Sequence, residues 1–478
     1  MINSPRFRPV LVCAITLCAV TITGCMVGPD YQRPKTNMPA TWVGATSQPT
    51  TQPTTRTSIT TTEPVELREW WKAFHDATLD SLIQRAIESN LNLQQAELRI
   101  RQARGARAIA AGGLWPTVDV STSYRRSRSG GIGSADFYQA GFDASWELDI
   151  FGRLRRGVEA ADADIVFAIE DRRDVLVTLL SELALNYTDL RGFQRQIAIA
   201  ERNLQTERRS LDLTRRRAAG GFVSGLDVAN AEAEVASTES RIPLLEQNVQ
   251  QVIYSLSVLL GREPAALLNE LNVDAPIPTT PPAVPVGLPS ELLRRRPDIR
   301  RAEAQLHAAT ARIGIATADL FPRFSLTGSL GTSGNQPKDL VNWDNRFWSI
   351  GPSVSWPIFD AGKIRANIGV QTAIQEQSLV GYRSTILIAL QDVENALIAY
   401  AKEQQHQASL IAAVAANRRA LNLATQLYTQ GQTNFLDVLL SQRSLLVSED
   451  ALVQSERTMA TNLIALYKAL GGGWEISP

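Results

Sequence analysis

Residues 138–149 read Tyr-Gln-Ala-Gly-Phe-Asp-Ala-Ser-Trp-Glu-Leu-Asp. Tyr138, Ala140, Phe142, Ala144, Trp146 and Leu148 alternate there with Gln139, Gly141, Asp143, Ser145, Glu147 and Asp149. A period of two puts the first set on one face of a strand and the second on the other. The dyad recurs in Val118, Val120, Thr122 and Tyr124 against Asp119, Ser121, Ser123 and Arg125. It returns in Phe324, Leu326, Gly328 and Leu330, and again in Trp348, Ile350, Pro352, Val354, Trp356 and Ile358, each set interleaved with Ser, Gly, Thr or Pro. Strands are therefore expected over about 117–127, 137–149, 323–332 and 347–358. Runs of about ten such residues, aromatic near their ends, suit transmembrane barrel strands, and a soluble sheet with one wet face alternates in the same way.

Outward from each strand pair the period changes. Leu176, Leu180, Leu183, Tyr187 and Leu190 are spaced 4-3-4-3, and Ile386, Leu390, Val393, Leu397 and Tyr400 repeat that spacing 210 residues later. This is a heptad seam, the mark of helices supercoiled on their neighbours. No proline falls between Pro116 and Pro243 or between Pro357 and Pro478. Arg153 to Ala218 and Lys363 to Gln430 can then run as helices of roughly 100 Å at 1.5 Å per residue. Gly220-Gly221 through Gly225 and Gln430-Gly431 through Asn434 offer turn chemistry, after which each helix returns antiparallel.

The two halves are copies. Ala96-Glu97 and Pro116 match Ala302-Glu303 and Pro322 at an offset of 206, and Gly152, Gly221, Leu226-Asp227-Val228 and Leu260-Gly261 match Gly362, Gly431, Leu436-Asp437-Val438 and Leu470-Gly471 at 210. A constant offset through many matches marks a duplicated unit. The expected organisation is a first repeat over 63–261, a proline-rich linker over 262–297 and a second repeat over 298–478.

The first residues are of another kind. Arg6 and Arg8 precede an apolar run from Val10 to Ile22, long enough for a signal peptide and too short for a membrane span. Ile22-Thr23-Gly24-Cys25 resembles a bacterial lipobox, so residues 1–24 are expected to leave and Cys25 to be acylated. Cys13 and Cys18 would leave with the signal, and the lipid would be the chain's one covalent addition. Met26 after the cysteine is compatible with the outer membrane. Thr36 to Thr62, rich in Thr, Pro, Gln and Ser, is expected to be a disordered tether completing a segment over 25–62.

Composition excludes much of the rest. The 478 residues carry 48 Lys and Arg against 48 Asp and Glu, which leaves no global field for nucleic acid. No apolar run beyond the amino terminus spans a membrane as a helix. His75, His307 and His406 lack metal-ligand spacing, and no nucleophile elbow, phosphate loop or carboxylate pair suggests an enzyme. Four strands cannot close a barrel, and lipid tolerates no open sheet edge. Several chains must pool strands: two would give eight and a filled interior, three would give twelve and keep a lumen. The expected fold is mainly α with a transmembrane β element, as a homotrimer with a 12-stranded β-barrel and a 12-helix periplasmic α-barrel.

These residues resemble the TolC-like outer-membrane efflux proteins, in particular the acylated, OprM/NodT-like branch serving resistance-nodulation-division pumps. The motifs are Cys25-Met26-Val27-Gly28-Pro29-Asp30-Tyr31 with Arg33-Pro34, Trp70-Trp71 with Phe74, Leu292-Leu293, Arg295-Arg296-Pro297-Asp298-Ile299 with Ala302-Glu303, Phe321-Pro322, and Tyr428 to Gly431 with Leu436-Asp437-Val438. The resemblance implies an exit duct lodged in outer-membrane lipid, passively carrying substrates delivered by an inner-membrane pump and a periplasmic adaptor. It also implies a periplasmic gate at the hairpin ends, with Tyr428, Asp437 and Asp227 at matching positions. Thr433 stands where the family's namesake has an arginine and Leu440 where it has a second aspartate, so a weaker polar latch is expected, with Leu436 or Leu440 adding an apolar constriction. Asp227 and Asp437 serve equally as helix-capping residues just after a turn. Gly221, Gly225, Gly431 and Thr433 are the candidate adaptor-docking positions at the tips. Arg294 to Arg296 read as helix-start chemistry on a solvated surface, and Arg215 to Arg217 as cations suited to a helix C-terminus. The alternative, a periplasmic adaptor lipoprotein with coiled-coil hairpins, fits the duplicated hairpins and four strands less well.

Overall fold

The computed structural model describes residues 26–46, 59–61, 67–130, 132–281 and 283–475. Its principal elements are α1 (Ala77–Ser89), α2 (Leu91–Gly112), β1 (Thr117–Ser129), β2 (Ile132–Leu148), α3 (Arg153–Ala219), α4 (Gly225–Leu259), α5 (Pro297–Ala318), β3 (Arg323–Gly334), β4 (Arg346–Ser355), α6 (Lys363–Thr429) and α7 (Phe435–Ala469). Helices α3 and α6 have 67 residues each, and their return helices α4 and α7 have 35 each. The duplication thus reaches element lengths. The four residues by which the second repeat is longer fall between β3 and α6, where the hairpin connection carries two 3-10 turns, Pro337–Val341 and Trp343–Asn345.

Two compact units arise, and they cut across the repeats. Of the described residues, the first takes those within 26–36, 98–170 and 300–384, the second those within 37–97, 171–299 and 385–475. Each repeat contributes to both because the strands of both repeats join one sheet.

In the first unit that sheet is an antiparallel meander in the order β1-β2-β3-β4, with Tyr124 opposite Tyr138, Phe142 opposite Leu330 and Gly328 opposite Ile350. Among the described residues, β1 and β4 each pair on one side only. β2 begins five residues earlier than its alternation suggested, since Ile132 to Asp136 still pair with β1. β4 stops at Ser355 instead of 358, because Pro357 lacks the N–H a ladder needs.

In the second unit the heptad seam is the core. Leu176, Leu180, Leu183, Tyr187 and Leu190 are fully buried, as are Ile386, Val393, Leu397 and Tyr400, with Leu390 half-buried. Burying such side chains contributes roughly 1.5–3 kcal/mol each, which is why a rod of weakly amphipathic sequence stays helical. Helix α4 runs through Pro243, which is exposed, so that the carbonyl left without its N–H partner can turn to water.

Three further expectations are corrected. The stretch expected to be a free tether is built in through Thr46: Trp42 is buried, with its indole N–H donating to the Gly287 carbonyl at 3.1 Å. Glu394 then accepts from the backbone of Val43 and Gly44 at 2.8 and 2.7 Å, capping the short helix Val43–Thr46. One indole and one carboxylate order a polar segment that its composition alone could not. The proline-rich linker is built in as well, since Ala283–Pro285 pairs in parallel with Ile59–Thr61. Arg296 is a buried hub and not solvated surface: it holds Asp298 at 2.7 Å, Asp392 at 3.1 Å and the Ala469 carbonyl at 3.0 Å.

Candidate functional site

The sheet presents two chemically opposed faces. On one, Val118, Val120, Trp348 and Ile350 are exposed by 65, 70, 72 and 69%. A face this apolar, in a single chain, needs a cover. On the other, polar side chains bond to one another: the Ser121 hydroxyl donates to Asp143 at 2.7 Å, and the Ser329 and Ser349 hydroxyls meet at 2.8 Å. Two tryptophans related by the repeat mark the helix-side end. The Trp146 indole donates to the Leu114 carbonyl at 2.9 Å and that of Trp356 to the Leu320 carbonyl at 3.0 Å. Amphipathic rings so anchored suit a membrane interface.

Beside this end runs the amino-terminal strap. Cys25 and residues 1–24 lie outside the described residues, but Met26 to Arg33 are docked. Arg156, only 1% exposed, donates to the carbonyls of Val27 (3.2 Å) and Gly28 (3.4 Å) and to the carboxylates of Asp30 and Glu159 (2.7 Å each). Tyr31 stacks on His307 with centroids 4.4 Å apart and donates to Glu303, which also takes Arg33 at 2.9 Å. Gly28 has a φ of +91°, and a Cβ there would stand 2.5 Å from the Cα of Gly314. Arg156 and Glu159 belong to the first repeat, Glu303, His307 and Gly314 to the second. The strap therefore joins both.

The hairpin tips lie in the second unit and share one geometry. Gly221 and Gly431 both have a φ of +76°, and the N–H groups of Phe222 and Gln432 each reach back five residues, to the carbonyls of Arg217 and Leu427 at 2.9 Å. This Schellman closure ends each long helix where only glycine is at ease. The return helices start on Ser224, in a reciprocal capping box with Asp227, and on Asn434, which accepts from the Asp437 N–H at 3.2 Å.

The gate candidates separate into two groups. Tyr428 is 2% exposed and packs with Leu211, Ala231, Phe435, Val438 and Leu439. Its ring carries the Arg217 guanidinium 4.6 Å from the centroid, its carbonyl accepts from the same guanidinium, and its hydroxyl lies 3.3 Å from that of Thr214. Asp227 and Asp437 do not join it. The Asp227 carboxylate accepts from the Ser224 backbone N–H and hydroxyl, and that of Asp437 from the Thr433 hydroxyl. Leu436 and Leu440 are both exposed on α7, as are Gly221, Gly225 and Gly431 at the turns, with Thr433 half-buried. Sequence reasoning missed Arg217. The run Arg215–Arg217 was the signal, but only the fold separates Arg215, paired with Glu232 at 2.7 Å, from Arg217, which reaches the other hairpin.

Deeper in the same unit Glu207 is buried. One carboxylate oxygen accepts from the Thr238 hydroxyl at 3.1 Å and the other has no partner. Burial pushes its pKa up to about 7; the charge of Glu234 adds a lesser upward push, while the Thr238 bond and Arg241 oppose it. Glu234 itself is matched by Arg443 at 2.7 Å. Among the described residues no group of three His, Cys, Asp or Glu side chains could hold a metal ion, and no helix is long and apolar enough to cross a membrane.

The amphipathic sheet and the duplicated helical hairpins together define one class of protein. The family described as outer membrane efflux protein matches residues 82–262 and 288–472, one block in each repeat. The chain belongs to that family. It is 36% identical over 427 residues to the pyoverdine export outer membrane protein OpmQ of Pseudomonas aeruginosa, covering 86% of this chain and 88% of that one. The structure of the outer-membrane channel OprN superposes with a TM-score of 0.86 at 37% identity, over 94% of this chain and all of that one. The open state of the Neisseria gonorrhoeae MtrE outer membrane channel does so at 0.82 and 31%, over 94% and 99%. This protein is an outer-membrane efflux channel.

Proposed function

We propose that three copies of this chain close a 12-stranded β-barrel and a 12-helix periplasmic tube, and that this tube is the passive exit duct of a tripartite efflux system. The observation that carries the reading is the sheet's pair of one-sided edges, β1 and β4, beneath an exposed apolar face. In hydrocarbon each unpaired backbone group costs several kcal/mol, so these edges must meet those of other copies. Twelve strands leave a lumen, and the serine, glycine and aspartate face is suited to line it with water. An acyl chain on Cys25 would add a second hold on the membrane.

The hairpin tips form the gate. Within each chain Arg217 ties the first hairpin to Tyr428 on the second, so the second cannot swing away until the cation leaves the ring and the apolar cluster parts. A cation over a desolvated ring contributes on the order of 1–2 kcal/mol. Leu436 and Leu440 supply the constriction, and Asp437 with Thr433 the polar collar. A periplasmic adaptor docks at the turns around Gly221, Gly225, Gly431 and Thr433, and an inner-membrane pump of the resistance-nodulation-division kind supplies the energy. The test is detergent-extracted protein on a gel, unheated against boiled, with its native mass. A heat-modifiable trimer is expected, and a detergent-free soluble monomer would end the reading.

A further inference from the structure

The apolar face of β1 changes chemistry along its length. Val118, Val120, Thr122 and Tyr124 are followed on the same face by Arg126 and Arg128. Val118 to Arg128 is about 34 Å at ~3.4 Å per residue, or roughly 26 Å of height at a barrel strand's ~40° tilt, close to the ~25 Å apolar band of an outer-membrane barrel. The arginines thus sit where the band ends, on the side away from the helices. β4 opens at that side too, and its first residue, Arg346, shares a face with Trp348 and Ile350. Its guanidinium donates to the Trp343 carbonyl at 3.2 Å and lies 5.9 Å from the Trp343 ring.

Charge is unbalanced at this end. Asp136, opposite Arg126, is 3.7 Å from its guanidinium and also accepts from the Tyr124 hydroxyl at 2.9 Å. Arg128, opposite Ser134, has no ion-pair partner among the described residues. Of the acids in the second hairpin connection, Asp339 accepts from the Gln336 N–H at 2.9 Å, and the Asp344 N–H donates to the Asn342 side chain at 3.1 Å. At the helix-side end Arg153 pairs with Glu147 at 2.7 Å, Arg155 with Asp149 at 3.2 Å and Arg323 with Asp319 at 2.6 Å. Among the described residues, only Arg126 of these three outward cations has a carboxylate partner, Asp136 at 3.7 Å, beside the tilted ring pair Tyr124 and Tyr138.

We propose that Arg126, Arg128 and Arg346 form a strip that binds the phosphate groups of the anionic glycolipid in the outward leaflet. This rests on the trimeric-barrel reading, since closing the ring sets β4 of one copy beside β1 of the next and brings Arg346 to the strand that carries the other two. A guanidinium fork matches phosphate bidentately, and the apolar residues below it would pack on the acyl chains of the same lipid. The strip would fix the barrel's height in the bilayer and brace the joint between copies.

The experiment uses the purified full-length protein in detergent with diphosphoryl lipid A, its dephosphorylated form, or phosphatidylcholine vesicles, and reads the temperature at which the trimer dissociates on unboiled gels. Lipid A is expected to raise it by several degrees, the other two to leave it unchanged. The double variant Arg126→Gln, Arg128→Gln should lose at least half of the rise, while Arg125→Gln, on the lumen face of the same strand, should keep it. An equal rise with dephosphorylated lipid, or an undiminished rise in the double variant, overturns the strip. A chain that runs as a monomer with no lipid added defeats the barrel reading and the strip with it, whereas a trimer indifferent to lipid A defeats the strip alone.

Discussion

The guanidinium of Arg217 lies over the ring of Tyr428, 4.6 Å from its centroid, and the two residues stand 211 positions apart on different hairpins. Replacing Arg217 with Ala removes the ring contact and a charge-assisted hydrogen bond together, a loss of roughly 2–3 kcal/mol. Single-channel recordings in planar bilayers should show a higher conductance or open probability for the variant than for wild type. Tyr428→Phe keeps the ring and gives up only the 3.3 Å contact with Thr214, so its conductance should stay near wild type. Equal behaviour of Arg217→Ala and wild type would rule out the clamp as a gate element.

Asp437 should matter less than Arg217. Its carboxylate accepts from Thr433 at the start of α7, so Asp437→Ala should cost about 1 kcal/mol of local helix stability. If its conductance rises as far as that of Arg217→Ala, the carboxylate holds the gate directly and the division between collar and clamp fails.

Glu207 makes hairpin stability depend on pH. Its folded pKa is raised to about 7, so the folded state holds the proton to higher pH than the unfolded chain does. Stability therefore falls as pH rises from the ordinary glutamate range through about 7, and the loss is complete above that. Thermal melts of the solubilised protein should show a lower midpoint at pH 8 than at pH 5, and Glu207→Gln should flatten the slope and melt above wild type at pH 8. An unchanged slope in the variant would assign the dependence to other groups.

The strap should detach when its anchor goes. Arg156→Ala removes the donor to Asp30, Glu159 and two backbone carbonyls; Asp30 is exposed and Glu159 keeps His307 at 3.2 Å, so the cost is that of the lost charge-assisted hydrogen bonds, about 1–3 kcal/mol. Gly28→Ala reaches the same end by another route, since it must abandon a φ of +91° and clear Gly314. Limited proteolysis should cut both variants within residues 26–36 at protease levels that spare wild type, while the trimer persists. A strap equally resistant in both variants would place its hold elsewhere.

Much of this architecture could be read from the chain because it is periodic. The dyad of 138–149, the 4-3-4-3 seam from Leu176 and the offset linking Gly221 to Gly431 each repeat a local rule many times over. What stayed hidden depends on single long-range contacts. Trp42 sits in a stretch of Thr, Pro and Gln whose composition speaks for disorder, and only the Gly287 carbonyl, 245 residues away, explains its burial. Arg217 is one of three adjacent arginines, and nothing local distinguishes it from Arg215. Arg296 likewise reads as surface until Asp392 and the end of α7 surround it. The tip aspartates were legible in part, since their place three residues after a capping residue is a local feature.

The docked strap has a consequence for the order of assembly. Its seat is made by Arg156 and Glu159 from one copy of the duplicated unit and by Glu303, His307 and Gly314 from the other, so no seat exists until synthesis has passed residue 314 and both copies have met. The residues that follow Cys25 precede both parts of their seat in synthesis and can be fastened only once those parts are made and have met, as a buckle closes only when both ends of the belt have come round.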